Sequence, residues 1–85
     1  MKIKIYATKD TVIGAYMKPF YMHNDMEAQR SFALAMQDEN SENRKIAKDL
    51  QLYRIGEFDD ETGEIKPDCE YLAKGSDYIK SEKGE

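Results

Sequence analysis

The sequence contains a single cysteine, Cys69, among 85 residues. One thiol cannot close an internal disulfide, and it lacks the companions that a zinc site requires. An unpaired cysteine is typical of a reduced intracellular protein. A disulfide scaffold and a structural zinc domain are therefore excluded. We expect a chain this short to gain stability from self-association, as a homodimer or larger assembly.

Long apolar runs are also missing. No stretch approaches the roughly 20 apolar residues of a helix that crosses a bilayer. The first residues alternate lysine and isoleucine instead of forming the apolar block of a signal peptide. The sequence thus predicts a soluble, cytoplasmic protein without membrane contact.

An excess of basic charge is missing as well, since the net charge is −4. Residues 1–36 carry five basic and three acidic side chains, and residues 37–85 carry eight basic and fourteen acidic ones. Strong non-specific binding of nucleic acid requires neutralised phosphates. Any basic surface must therefore be local and near the N-terminus.

Motifs of catalysis and cofactor binding are absent. There is no P-loop, no dinucleotide glycine fingerprint and no zinc motif. The only histidine, His23, has no serine or cysteine nucleophile at a recognisable spacing. The acidic residues at 59–64 lack the alternating ligand spacing of a calcium loop. We expect no enzyme activity, no catalytic residue, no cofactor and no metal.

The clearest structural signal is a helix from about residue 25 to residue 37. Asn24 is a suitable N-cap, and Glu27 is spaced to accept from the Asn24 N–H as in a capping box. An apolar side of the helix follows at helical spacing, and it comprises Ala28, Phe32, Ala35 and Met36. We expect Phe32 to be buried against a sheet.

Strands are predicted on both sides of this helix, near residues 2–8, 18–23, 50–58 and 64–67. Apolar groups on both sides of 50–58 favour a central position in the sheet. The pattern weakens after Pro67. The prediction is an α+β fold in the order ββαββ, with one helix on one face of a mainly antiparallel sheet. We assign residues 1–80 to a single domain and 81–85 to a frayed tail.

Aromatic rings flanked by cations predict a candidate nucleic-acid surface. Lys2, Lys4 and Tyr6 share one side of the first strand, and Lys18 and Tyr21 belong to the next. Lysines attract phosphates, and tyrosine rings stack on unpaired bases. The same pattern also fits an ordinary solvated strand face or a self-association surface.

Several stretches together resemble the small nonstructural protein of gokushoviruses, a branch of the tailless single-stranded DNA bacteriophages called microviruses. The resemblance covers roughly residues 1–66. It is carried by Met1 to Tyr6, Ala15-Tyr16, Pro19-Phe20, Asn24-Asp25, Glu27-Ala28, Arg30, Phe32, Asp49, Leu52-Tyr53, Ile55 to Asp59 and Thr62-Gly63.

This resemblance implies a protein of the host cytoplasm that is not part of the virion. It implies an accessory role in genome replication, in the switch from duplex synthesis to single-stranded DNA, and it supplies no catalytic residue. One hypothesis is a protein that binds single-stranded DNA. The alternative is an adaptor that binds a phage or host replication or assembly protein without touching nucleic acid.

Overall fold

One antiparallel sheet carries most of the secondary structure, and one main helix packs against it. The computed structural model describes residues 1–79, so the predicted tail at 81–85 lies outside the described residues. The strands are β1 (Lys2–Asp10), β2 (Ala15–Tyr16), β3 (Phe20–Met22), β4 (Leu50–Asp59) and β5 (Ile65–Lys74). The helices are α1 (Asp25–Gln37) and α2 (Glu42–Lys45), and short 3-10 turns follow at Ala47–Asp49 and Gly75–Tyr78. Within residues 1–79, no helix is long and apolar enough to cross a membrane.

The predicted α+β class is confirmed, with one strand more than the ββαββ order. The strand order across the sheet is β2-β1-β4-β5. Strand β3 pairs with the same edge of β1 as β2 does. Every pairing is antiparallel, and β4 is central as predicted. The additional strand, β2, follows a turn in which Gly14 adopts a φ of +80°.

The last strand is longer than the sequence predicts, because β5 continues past Pro67 to Lys74. Proline is tolerated here because β5 is the outermost strand within residues 1–79, so one side of its backbone has no neighbouring strand among them. Two residues further along β5, the Cys69 N–H donates to Asp68 Oδ1 at 2.7 Å. These two features blunt the edge against pairing with a strand of another molecule.

Helix α1 begins and ends where the sequence predicts. The Asn24 side-chain oxygen accepts from the Glu27 N–H at 2.9 Å, which satisfies one free donor of the first turn. The Glu27 carboxylate reaches the His23 backbone N–H at 3.3 Å rather than that of Asn24, so the predicted capping box is wrong in its second half.

The core lies between α1 and one face of the sheet. Phe32 is only 4% exposed, and Ala28 and Met36 are buried beside it, as the helical spacing predicts. Strands β1, β4 and β5 contribute Tyr6, Leu50, Leu52 and Ala73 to the same cluster.

The two faces of the sheet differ in what covers them. In β1, Lys4 and Tyr6 lie on the helix face, whereas Ile5 and Ala7 lie on the opposite face, which we call the open face. Lys2, Lys4 and Tyr6 share one side of β1 as predicted. The prediction that the Tyr6 ring can stack on a base is wrong, since its side chain is 0% exposed. Period-two alternation separates two faces but does not state which one the helix covers.

A bulge in β4 changes the alternation of that strand at Ile55. Consecutive residues of β1 pair with Arg54 and Gly56, so Ile55 has no partner in β1. Gly56 is required here because a Cβ at this position would lie 2.9 Å from a backbone oxygen of β5. The extra residue lets Arg54 and Glu57 share the helix face although they are three positions apart.

Replacing Phe32 with alanine tests the core. We expect Phe32→Ala to lower the free energy of unfolding by about 3–5 kcal/mol, because it leaves a cavity under α1. The control is Leu34→Ala on the same helix, where the side chain is 62% exposed and the change should stay within about 0.5 kcal/mol. Urea unfolding followed by circular dichroism measures both, and equal effects would contradict this packing.

Candidate nucleic-acid interface

Tyr6 anchors helix α1 to the sheet. Its hydroxyl donates to Asp25 Oδ1 at 2.8 Å, and Asp25 is the first residue of the helix. Its ring stacks on Phe20 of β3, with the two centroids 5.8 Å apart. A fully buried ring offers no surface to a nucleotide base, so Tyr6 is a structural residue.

Arg54 joins the same network from β4. Its guanidinium donates to Asp68 Oδ2 at 2.8 Å and to Asp25 Oδ2 at 2.5 Å, and these two bonds raise the pKa of Arg54. Burial alone would raise the pKa of Asp25, but the hydrogen bonds from Tyr6 and Arg54 outweigh it and lower that pKa. Arg54 also lowers the pKa of Asp68. The Arg54 guanidinium therefore holds α1 and β5 against β4.

Lys2 and Lys4 also lie on the helix face, among acidic side chains. Lys4 Nζ is 2.9 Å from Glu57 Oε2, and this hydrogen bond lowers the pKa of Glu57. Lys2 is paired opposite Asp59 and lines a small cavity with it. The carboxylates beside these lysines would repel a phosphate and weaken any contact with nucleic acid.

The other two predicted residues lie elsewhere. Lys18 is exposed in the connection between β2 and β3. Tyr21 lies opposite Ile5 on the open face, is 56% exposed, and packs edge-to-face on Phe58 with the centroids 6.5 Å apart. The five predicted residues are therefore not brought together on one surface. For all except Tyr6, contact with DNA stays a prediction.

Three tyrosines that the sequence pattern does not single out cross the open face in a row. Tyr53 lies between Tyr16 and Tyr71 and meets each ring edge-to-face, with both centroid distances 5.7 Å. The small, fully buried Ala7 lies directly opposite Tyr53 and leaves room for the rings above β1. We define the tyrosine face as the surface formed by Tyr16, Tyr21, Tyr53, Phe58 and Tyr71. Tyr16 and Tyr71 are 45% and 49% exposed, so their rings are accessible to a ligand.

The charges of the strands are divided between the two faces of the sheet. Strand register puts Lys9 and Lys74 on either side of Gln51 on the open face. Within the described strands, register and ion pairing put the acidic side chains on the helix face, namely Asp10, Glu57, Asp59, Asp68 and Glu70. Lys9 Nζ is 5.6 Å from the centre of the Tyr16 ring, within cation–π range. The tyrosine face thus combines aromatic rings with positive charge.

The hydroxyl of Tyr16 is neutral near pH 7. Desolvation in the folded protein and the neighbouring Cys69 raise the pKa of this hydroxyl above its ordinary value. A neutral phenol does not repel a phosphate, and it can donate a hydrogen bond to one.

Comparison with protein families gives a match over most of the chain. A family model described as "Phage ORF5 protein" matches residues 3–78, which is nearly the whole chain. Neither the curated proteins nor the solved structures give a significant match.

The bond between Tyr6 and Asp25 can be tested by removing one oxygen atom. We expect Tyr6→Phe to lower the free energy of unfolding at pH 7 by about 1–2 kcal/mol, which is modest for a bond to a carboxylate because Asp25 is partly exposed. The control Tyr53→Phe removes a neutral bond to Gln51 on the open face and should cost less, about 0.5 kcal/mol.

The effect of Tyr6→Phe should also depend on pH. Because the folded-state pKa of Asp25 is lowered, its stabilisation is present above the unfolded pKa of about 4 and is lost as the pH falls through the folded value. The raised pKa of Tyr6 adds stability that is present below about pH 10 and is lost at higher pH. Urea unfolding at pH 7 and pH 3 should show the difference between wild type and Tyr6→Phe narrowing in acid. A constant difference would contradict the network.

Proposed function

The chain belongs to the Phage ORF5 protein family, and from this membership and the charge pattern of the sheet we propose that it is a nonstructural accessory protein of phage genome replication. We propose further that it binds single-stranded DNA on the tyrosine face. The resemblance to gokushovirus nonstructural proteins supports a role in the production of single-stranded genomes in the host cytoplasm.

The observation that carries this proposal is the separation of charge between the two faces of the sheet. A protein with a net charge of −4 repels a polyanion at long range. At contact distance the local charges decide, and among the described strand residues Lys9 and Lys74 are the charged ones on the tyrosine face. A phosphate backbone lying along these lysines is separated by the sheet from the carboxylates of the strands. The Asp77 carboxylate, just beyond β5, accepts from the Lys74 backbone N–H at 3.4 Å and lies close to that lysine's backbone.

The tyrosine rings suit unpaired bases better than duplex DNA. Neighbouring rings are tilted by 77° and 66°, so they do not form one continuous stack. Each exposed ring can instead receive one base that has left its own stack. A duplex keeps its bases stacked internally and offers this surface only its backbone.

A protein partner is the second candidate, and the apolar side chains of the same face favour it. Ile65 of β5 is 60% exposed and lies opposite Phe58 of β4. A second copy of this chain, or a replication protein, would bury these groups. Such a partner would cover the tyrosine face in place of DNA. The first candidate therefore predicts binding of an oligonucleotide, and the second predicts none.

Binding of an oligonucleotide separates these candidates, and lysine substitutions on the two faces of the sheet show which face it contacts. Fluorescence anisotropy with a labelled oligonucleotide at about 50 mM salt, where screening is weak, should detect binding to the single strand in preference to the duplex. Replacing Lys9 and Lys74 with glutamine should reduce the log–log salt slope by about 1.4, or about 0.7 for each phosphate contact.

The matched control replaces Lys2 and Lys66 with glutamine, which makes the same change of charge on the helix face. The tyrosine-face proposal predicts little effect from this pair. If only the control pair weakens binding, DNA contacts the helix face instead. Absence of binding at high protein concentration would leave the protein-partner proposal.

Stacking on Tyr71 gives a separate prediction. Tyr71→Ala should weaken binding of single-stranded DNA by about 1–3 kcal/mol if a base stacks on this ring. Tyr71→Phe keeps the ring and removes only the hydroxyl, so it should bind nearly as well as wild type. Isothermal titration measures both variants, and equal losses would show that the hydroxyl matters rather than the ring.

A further inference from the structure

We propose that Val12 and Ile13, at the tip of the turn between β1 and β2, form an apolar wedge that stacks on the last base pair of a duplex where a single strand leaves it. This inference rests on the proposed binding of single-stranded DNA. It adds a second specificity, for the junction between single-stranded and double-stranded DNA.

The turn that carries these residues is firmly held. Asp10 Oδ1 accepts from the backbone N–H groups of Val12 and Ile13 at 3.0 and 3.2 Å. The Gly14 N–H donates to the Asp10 carbonyl oxygen at 2.8 Å. Asp10 itself is only 8% exposed. The tip is therefore a fixed feature of the sheet and not a loose loop.

A second anchor joins the turn to the start of β4. Both the backbone N–H and the hydroxyl of Thr11 donate to the Asp49 carbonyl oxygen, at 2.8 and 2.9 Å. The position of the tip relative to β4 is thus set from two sides. A rigid tip keeps Val12 and Ile13 in place when DNA bound to the sheet brings a base pair against them.

The side chains at the tip have no role in forming the turn. The hydrogen bonds of Val12 and Ile13 involve only their backbone groups, which any residue except proline could supply. Turns favour glycine, asparagine, aspartate and serine, whereas this tip carries two branched aliphatic residues. Each is 74% exposed. Two adjacent apolar side chains held in water are available for contact with an apolar surface.

The location of the tip points to the kind of surface. Val12 is three residues beyond Lys9, hence within about 10 Å of it along the chain. Tyr16 returns on β2 directly opposite Lys9. A DNA strand bound on the tyrosine face therefore passes close to the tip where it leaves this face, at the end with Lys9 and Lys74. Apolar wedges placed against base steps are an established means of unstacking DNA.

The test compares two DNA ligands. One is a single-stranded oligonucleotide, and the other is the same strand attached to a stable hairpin duplex. We expect wild type to bind the second about tenfold more tightly, a factor equal to 1.4 kcal/mol. A variant with Val12→Ser and Ile13→Ser should lose this preference and keep its affinity for the single strand. The control variant, Met26→Ser with Leu34→Ser, changes two residues of α1 that are also largely exposed, and it should keep both the affinity for the single strand and the preference for the junction.

Each result decides between the proposals. Binding of the single strand without a preference for the junction overturns the wedge and leaves the proposed function intact. A junction preference that survives in the Val12→Ser, Ile13→Ser variant also overturns the wedge. Failure of the wild type to bind either ligand overturns both proposals. A 2-aminopurine in the last base pair should brighten with wild type, because the aliphatic side chains replace the base that would otherwise stack on it, but not with the tip variant. Equal brightening would likewise contradict the wedge.

Discussion

The hydrogen bond from Tyr6 to Asp25 determines which side chains of the sheet face helix α1 and which face away from it. Together with the ion pair between Asp25 and Arg54, it joins β1, the start of α1 and β4 in one network. Tyr6 must face the helix to make this bond. Because side chains alternate along a strand, its neighbours Ile5 and Ala7 must then face the other way.

The division of charge follows from this choice of face. The acids of β4 and β5 lie on the helix side, where Arg54 and Lys4 pair with Asp68 and Glu57. The opposite side is left with tyrosines and with Lys9 and Lys74 as its strand charges. A chain with an acidic net charge thereby gains a surface suited to a polyanion. The same network that stabilises the fold keeps the carboxylates away from the tyrosine face.

The sequence predicts the elements better than their faces. The helix is predictable because Asn24 marks its start and Phe32 its buried side. Tyr6 is misassigned because alternation in β1 is equally compatible with a helix on either side. Part of the tyrosine face could be found from the sequence, since Tyr53 alternates with Leu52 in a strand that is apolar on both sides.

Other features depend on contacts between strands and leave no local signal. The bulge at Ile55 exists only relative to the neighbouring strands. The extension of β5 is hidden because Pro67 and the charged residues after it look like a loop, whereas an outermost strand tolerates both. The row of Tyr16, Tyr53 and Tyr71 comes from three strands, and pairing alone brings it together.

The central claim is that the tyrosine face, and not the helix face, meets single-stranded DNA. An NMR titration of the isotope-labelled protein with a short oligothymidine tests it most directly, because every backbone amide reports its own surroundings. The account predicts chemical-shift changes centred on Lys9, Tyr16, Tyr53 and Tyr71, with the amides of α1 nearly unchanged. Changes centred instead on Lys2, Lys4 and the first turn of α1 would contradict it.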